Sequence, residues 1–201
     1  MAHKEIDEVV AFQQFVQEVV FSGNERAGII SGAAMLDLQL ETILRRYLLP
    51  AKSNSEDERV FGAHAPLSTF SGKTAMAYRL GLIPPIVADM LDRIRKIRND
   101  FAHDVTVVSM DDEEKYKSHI SELSQIHRGT EAAMLDKLDM EHTPANRLRA
   151  IIVAVAVMLS STAKLVEQVQ PLGERVTPDQ LFGSSDQQSG APRDQSESPS
   201  D

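Results

Sequence analysis

The chain has 201 residues, of which 42% are apolar, and it carries a formal net charge of −9. That length supports one well-filled core, and that apolar fraction argues against a chain that is disordered throughout. The acidic balance is opposite to the basic face expected of a domain that binds duplex DNA by itself, and the absence of cysteine excludes disulfides and thiolate metal sites.

The first part of the chain has the period of amphipathic helices. Apolar residues recur every three or four positions over residues 4–21 and again over residues 25–49. This spacing predicts two helices that each bury one face. Asp37 and Glu41 lie one turn apart on the second helix and share a face, so they are candidate partners for a buried arginine.

Residues 51–69 are polar and show no helical period, which predicts a loop. Ser68 or Thr69 can cap a helix over residues 71–80, and Gly81 supplies the left-handed turn that ends it. This segment therefore leads from the second helix into a short third one.

A further helix begins near Pro85, because proline is tolerated in the first turn, and its apolar stripe runs as far as Phe101. Arg98 lies about 50° from the centre of that stripe, so it points toward packed surface. A guanidinium is rarely buried unless it is paired. We therefore predict a structural polar cluster of Arg98 with Asp37 and Glu41.

The C-terminal half contains weaker signals followed by one strong one. Residues 105–108 are all β-branched, which predicts an extended linker or a small edge ribbon. Helical spacing resumes from Glu113, is interrupted at Gly129, and ends in a strongly apolar helix from about Pro144 to Gln170. The apolar run in that helix is about half of the ~20 residues that cross a bilayer, so we expect a buried core helix and no membrane span.

Together these patterns predict an all-α fold, a single bundle of about five to seven helices over residues 1–172. Residues 173–201 are rich in Gly, Ser, Gln, Asp and Pro, and such a segment cannot offset its ordering entropy. We expect a disordered polar tail there. The N-terminus lacks a hydrophobic signal segment, so we expect a cytoplasmic protein.

The candidate chemistry is concentrated in R-N-D-F-A-H at residues 98–103. The other histidines lack metal-ligand spacing, so we expect neither a metal nor a cofactor. An imidazole that titrates near neutral pH beside a phosphate-holding guanidinium suits cleavage of RNA through its own 2′-hydroxyl. The alternative is structural, with Arg98 paired to a carboxylate and His103 placed at a helix C-terminus, where a cation is favoured. In an unbroken helix these two side chains diverge by about 140°.

The stretch from Leu67 to His103 contains F-S-x-K-x-x-x-A-Y-x-L-G-L-I followed by D-x-x-x-x-I-R-K-I-R-N-D-F-A-H. It resembles the mannitol operon repressor family of bacterial proteins, as does AAMLDLQLETIL at residues 33–44, and the resemblance covers roughly residues 10–165. It implies a transcriptional regulator of sugar-uptake genes. Because the sequence shows no helix-turn-helix and no basic face, we expect it to act through an unidentified protein partner and not by sequence-specific DNA binding.

The R-N-x-x-x-H spacing also resembles the HEPN superfamily, whose members are all-α and usually dimeric. In its nuclease branch an arginine and a histidine from two protomers share a cleft, which implies catalytic roles for Arg98, Asn99 and His103. Our favoured hypothesis is a homodimeric regulator that works by protein contact. The alternatives are a metal-independent ribonuclease or RNA-binding protein, and a structural interaction module without catalysis.

Overall fold

Eight α-helices and one short 3₁₀-helix form the regular structure in the computed structural model, which describes residues 2–21, 23–104, 109–112 and 114–171. In chain order the helices are α1 (Ala2–Phe21), α2 (Glu25–Tyr47), α3 (Asn54–Phe61), α4 (Phe70–Arg79), α5 (Pro85–His103), α6 (Glu114–Ile126), α7 (Thr130–Lys137) and α8 (Pro144–Leu165). The 3₁₀-helix (Met110–Asp112) lies between α5 and α6. They belong to one compact unit, Met1–Gln168.

The all-α prediction is confirmed, but the predicted five to seven helices are too few. Helix α3 lies inside the segment predicted to be a loop, and it begins with a capping arrangement: Ser53 Oγ accepts a hydrogen bond from the backbone N–H of Glu56 at 3.2 Å. The Glu56 carboxylate in turn accepts from the N–H of Lys52 at 2.6 Å. The S-x-x-E pattern at residues 53–56 was therefore a usable helix signal.

The other boundaries follow the sequence more closely. Thr69 caps α4 by accepting from the N–H of Gly72 at 3.1 Å, and Gly81 adopts the expected left-handed conformation with φ of 72°. Gly129, also left-handed, separates α6 from α7. Helix α8 ends at Leu165 and not near Gln170. The predicted linker at 105–108 and the predicted tail at 173–201 lie outside the described residues.

The centre of the fold is the pair formed by α2 and α8. Gln39 Nε2 donates to Ser160 Oγ at 2.7 Å, and Arg46 Nη1 donates to the carbonyl of Ala163 at 2.6 Å, so the two helices run parallel. Gly32 of α2 faces Ile152 of α8, and a Cβ added there would lie 2.8 Å from Ile152 Cγ2. A side chain at this position would require Ile152 or the helices to shift.

Helices α2 and α8 are long and apolar enough to cross a membrane by length and composition alone. In each, 44% of the most apolar window is buried inside the protein. Core helices of soluble proteins pass the same test, so this composition is weak evidence for a membrane span.

Helix α5 begins at Pro85, as predicted, and continues unbroken to His103. Its apolar stripe is buried, and its far end is attached to the start of α2: Arg26 Nη2 donates to the carbonyl of Asp104 at 2.9 Å, and Arg26 Nη1 donates to the carbonyl of Phe101. Since the first turn of α2 meets the last turn of α5, the two helices are antiparallel.

Candidate functional site

A buried lysine forms the polar cluster between α2 and α4. The Nζ atom of Lys73 lies 3.1 Å from Asp37 Oδ2 and 2.8 Å from Glu41 Oε2, and the Lys73 side chain is only 5% exposed. Glu41 also accepts a hydrogen bond from Arg45 Nε at 2.9 Å. The two carboxylates that the sequence placed on one face of α2 therefore share a cation from α4.

The electrostatics of this cluster keep it charged. Burial alone lowers the pKa of Lys73, but hydrogen bonds with Glu41 and Asp37 outweigh that effect and raise the pKa above its usual value. Burial likewise raises the pKa of Glu41, but hydrogen bonds from Lys73 and Arg45 outweigh it and lower the pKa. Lys73 and Glu41 are therefore ionised at neutral pH.

The cation of this cluster is Lys73 and not the predicted Arg98. The reason is the register of two antiparallel helices, fixed where Arg26 meets Phe101. Counting back along α5 from that contact, Arg98 is level with about residue 29 of α2, which is roughly 12 Å along the helix from Asp37 at 1.5 Å per residue. Both cations face inward, but only Lys73 is at the right height.

Arg98 is half-buried on α5. Its Nε atom is enclosed and has no hydrogen-bond partner in the part of the chain that the structure describes. Asn99 is also half-buried, whereas His103 is exposed as the last residue of α5. Because α5 is unbroken between them, the side chains of Arg98 and His103 diverge by about 140°. A single chain does not bring these two predicted catalytic residues into one cleft.

Two adjacent residues at the start of α2 hold the chain on both sides of residues 105–108. Arg26 binds the end of α5, and its guanidinium carbon lies 4.4 Å from the centre of the Phe101 ring. Glu25 accepts hydrogen bonds from the N–H of Met110 at 2.7 Å and from Ser109 Oγ at 3.0 Å. These contacts position the last turn of α5 and with it His103. The sequence showed a charged first turn here but not its partners.

The outward face of the α2–α8 pair is apolar. Its stripe on α2 consists of Ala27, Ile30, Ala34 and Leu38. Leu38 is 57% exposed and Val157 of α8 is 47% exposed. Gln39 of α2 and Ser160 of α8 are joined by a hydrogen bond. Leu38 directly precedes Gln39, and Val157 lies one turn before Ser160. The side chains of Leu38 and Val157 therefore leave the helix pair on the same side. We call the α2 stripe together with Val157 the α2–α8 face.

Metal chemistry has no site in the part of the chain that is described, where no group of three or more histidine, aspartate or glutamate side chains could hold an ion. Comparisons with protein-family models, with curated proteins and with solved structures find no match. The residues themselves therefore carry any functional assignment.

Proposed function

We propose that the protein is a cytoplasmic, homodimeric regulator that resembles the mannitol operon repressor family and acts through protein contact. The observation that carries this proposal is the α2–α8 face, because soluble monomers rarely leave a contiguous apolar patch of this kind uncovered. The divergence of Arg98 and His103 along α5 supports a role without catalysis.

A second copy of the chain fits the stripe on α2. The stripe has a large, a small and a large side chain in turn, at Ile30, Ala34 and Leu38. This order of sizes is the same when the helix is reversed. Two antiparallel copies of α2 related by a two-fold axis therefore place Ala34 against its copy and Ile30 against the partner's Leu38. A two-fold interface requires such self-complementarity, and the small central residue lets the backbones approach.

Light scattering of the purified chain tests the dimer. At tens of micromolar, the wild type is expected at twice the 22.2 kDa mass of one chain. Leu38→Glu introduces a charge into the apolar contact and is expected at the mass of one chain. The matched control is Leu138→Glu, which alters the exposed leucine directly after α7, outside the face, and is expected to stay dimeric. A monomeric wild type would contradict the proposal.

Regulation is tested in cells with a reporter for sugar-uptake genes. Deleting the gene is expected to raise reporter expression, and the wild type but not Leu38→Glu is expected to restore repression. The purified protein is expected to bind duplex DNA no more tightly than about 10⁻⁴ M at physiological salt, because the chain is acidic. A sequence-specific shift at nanomolar protein would contradict action through a partner.

A metal-independent ribonuclease of the HEPN type is the second candidate. It is favoured by Arg98, whose enclosed Nε has no partner among the described residues and whose guanidinium can hold a phosphate. The histidine would have to come from a second protomer. In the presence of a chelator, His103→Ala is expected to reduce RNA cleavage by about 10²-fold or more at an unchanged melting temperature. His64→Ala, another exposed histidine, is the control, and a wild type that leaves RNA intact eliminates this candidate.

A further inference from the structure

A groove of about 380 Å³ lies between α5 and α6. Its floor is apolar, with Ile97 buried and Ile126 half-buried. The volume is within the usual range of ligand sites, about 300–1,000 Å³, and an apolar floor with a few polar groups is their usual composition. The groove is separate from the α2–α8 face.

One end of the groove offers hydrogen-bond donors. Arg93 of α5 and Glu122 of α6 form an ion pair across the groove, so these two residues are level with each other. Lys115 near the start of α6 pairs with Asp104 just after α5, so α5 and α6 are antiparallel. Lys96, three residues after Arg93, is therefore level with His119, three residues before Glu122. Both line the groove, and in the described part of the chain neither forms an ion pair. An anionic group placed between them can accept from the ammonium and from an imidazole N–H.

The other end offers carboxylates. Asp89 lines the groove two turns before Lys96 on the same helix, which is about 10.5 Å along the axis. Asp92 lies between them and is 3.3 Å from Arg95, its partner on the outer side of α5. Charge is thus segregated along the groove, with a cationic end, an apolar floor and an acidic end.

We propose that this groove binds a short linear peptide with free termini. Its carboxylate lies between Lys96 and His119, and its ammonium faces Asp89. An extended chain spans at most about 3.3–3.6 Å per residue, so three residues cover the roughly 10 Å between the two ends. A central apolar side chain then lies between Ile126, which is level with Asp89, and Ile97, which is next to Lys96.

The ion pair between Arg93 and Glu122 crosses the middle of the groove and has to yield to the peptide. The two side chains are 38% and 49% exposed. Exposed pairs of this kind contribute little to stability, so a ligand that brings two charges of its own can open the pair at small cost. This inference goes beyond the proposed regulatory function and does not depend on it.

Calorimetric titration of the full-length protein with the tripeptide Ala-Leu-Ala tests the proposal. The peptide with free termini is expected to bind, and the same peptide acetylated and amidated at its ends is expected to bind at least about tenfold more weakly, because each charged hydrogen bond is lost. Lys96→Ala and Asp89→Ala are each expected to weaken binding by about tenfold at an unchanged melting temperature.

The matched control is Lys164→Ala, an exposed lysine on α8 that is outside the groove, and it is expected to bind like the wild type. Absence of binding of the free peptide at millimolar concentration overturns the proposal. The proposal is also overturned if the blocked peptide binds equally well or if Lys96→Ala binds with wild-type affinity, since the charged ends would then not contribute to binding.

Discussion

Replacing Lys73 by alanine tests the polar cluster most directly, because it removes the cation that Asp37 and Glu41 share. Breaking a fully buried ion pair costs about 3–5 kcal/mol. Here the carboxylates are 32% and 23% exposed, and Glu41 keeps its contact with Arg45, so part of that cost is relieved by water and by the second cation. We expect Lys73→Ala to lower the free energy of unfolding by about 2–3 kcal/mol.

Thermal unfolding measures this effect. For a protein of this size, 1 kcal/mol corresponds to roughly 2–4 °C, so Lys73→Ala should lower the melting temperature by about 4–12 °C. The control is Arg93→Ala, which also breaks an ion pair between helices but an exposed one, and it should cost no more than about 1 kcal/mol. If the two variants have the same melting temperature, the buried ion pairs of Lys73 stabilise the protein no more than an exposed pair does.

The pH dependence of the same variant has a definite sign. The pKa of Glu41 is lowered below its ordinary 4.5, so its stabilisation is complete above that value and is lost as pH falls through the lowered pKa. The pKa of Lys73 is raised above its ordinary 10.5, so its stabilisation is complete below that value and is lost as pH rises further. The cost of Lys73→Ala should therefore be constant from about pH 5 to about pH 10 and shrink outside that window. A cost that grows on acidification contradicts this assignment.

Three further variants address the rest of the fold. Gly32→Ala places a Cβ 2.8 Å from Ile152 Cγ2 and should lower the free energy of unfolding in urea by about 1–3 kcal/mol. An unchanged urea midpoint would show that the contact between α2 and α8 adjusts without cost. Arg26→Ala removes the hydrogen bonds to the carbonyls of Phe101 and Asp104 at the end of α5. Hydrogen exchange of the amides in the last turn of α5 should therefore accelerate. An unchanged exchange rate would show that α2 does not stabilise this turn. Burial raises the pKa of Glu131, but hydrogen bonds, with that to His127 the largest, together outweigh it and lower the pKa. Glu131→Gln should thus destabilise the protein at pH 7, and the difference in stability from wild type should narrow below about pH 4.5. It would not narrow if the carboxylate were unpaired.

Helix α3 shows why part of the fold was missed by periodicity. Its eight residues, NSEDERVF, offer too few apolar positions for a recognisable stripe, and a helix of two turns is marginal alone. It is held from outside by Arg45 of α2, which pairs with Asp57 and stacks on the ring of Phe61 at 4.0 Å. Such contacts depend on how α2 is oriented, which no local pattern reports.

The polar cluster was predictable in kind but not in its partners. Lys73 lies between Phe70 and Ala77 at helical spacing, so its inward orientation could be inferred from the sequence just as it was for Arg98. Which cation meets Asp37 depends on the relative height of α2, α4 and α5. That height follows from how the helices pack against one another, and the spacing of residues within one helix contains no information about it.

The separation of Arg98 and His103 on α5 makes dimerisation a shared requirement of both candidate functions. One unbroken helix cannot turn both side chains toward the same phosphate, so cleavage would need His103 from a second chain, and regulation as proposed needs the second copy on the α2 stripe. Leu38→Glu should therefore abolish repression. Two α2 helices that meet at Ala34 leave the partner's His103 roughly 22 Å along the axis from Arg98, so a cleaving dimer would have to pair the two chains in another way. His103→Ala, on an exposed side chain outside the stripe, should abolish only cleavage. A Leu38→Glu monomer that still cleaves RNA would show that one chain supplies the whole site, against the geometry of α5.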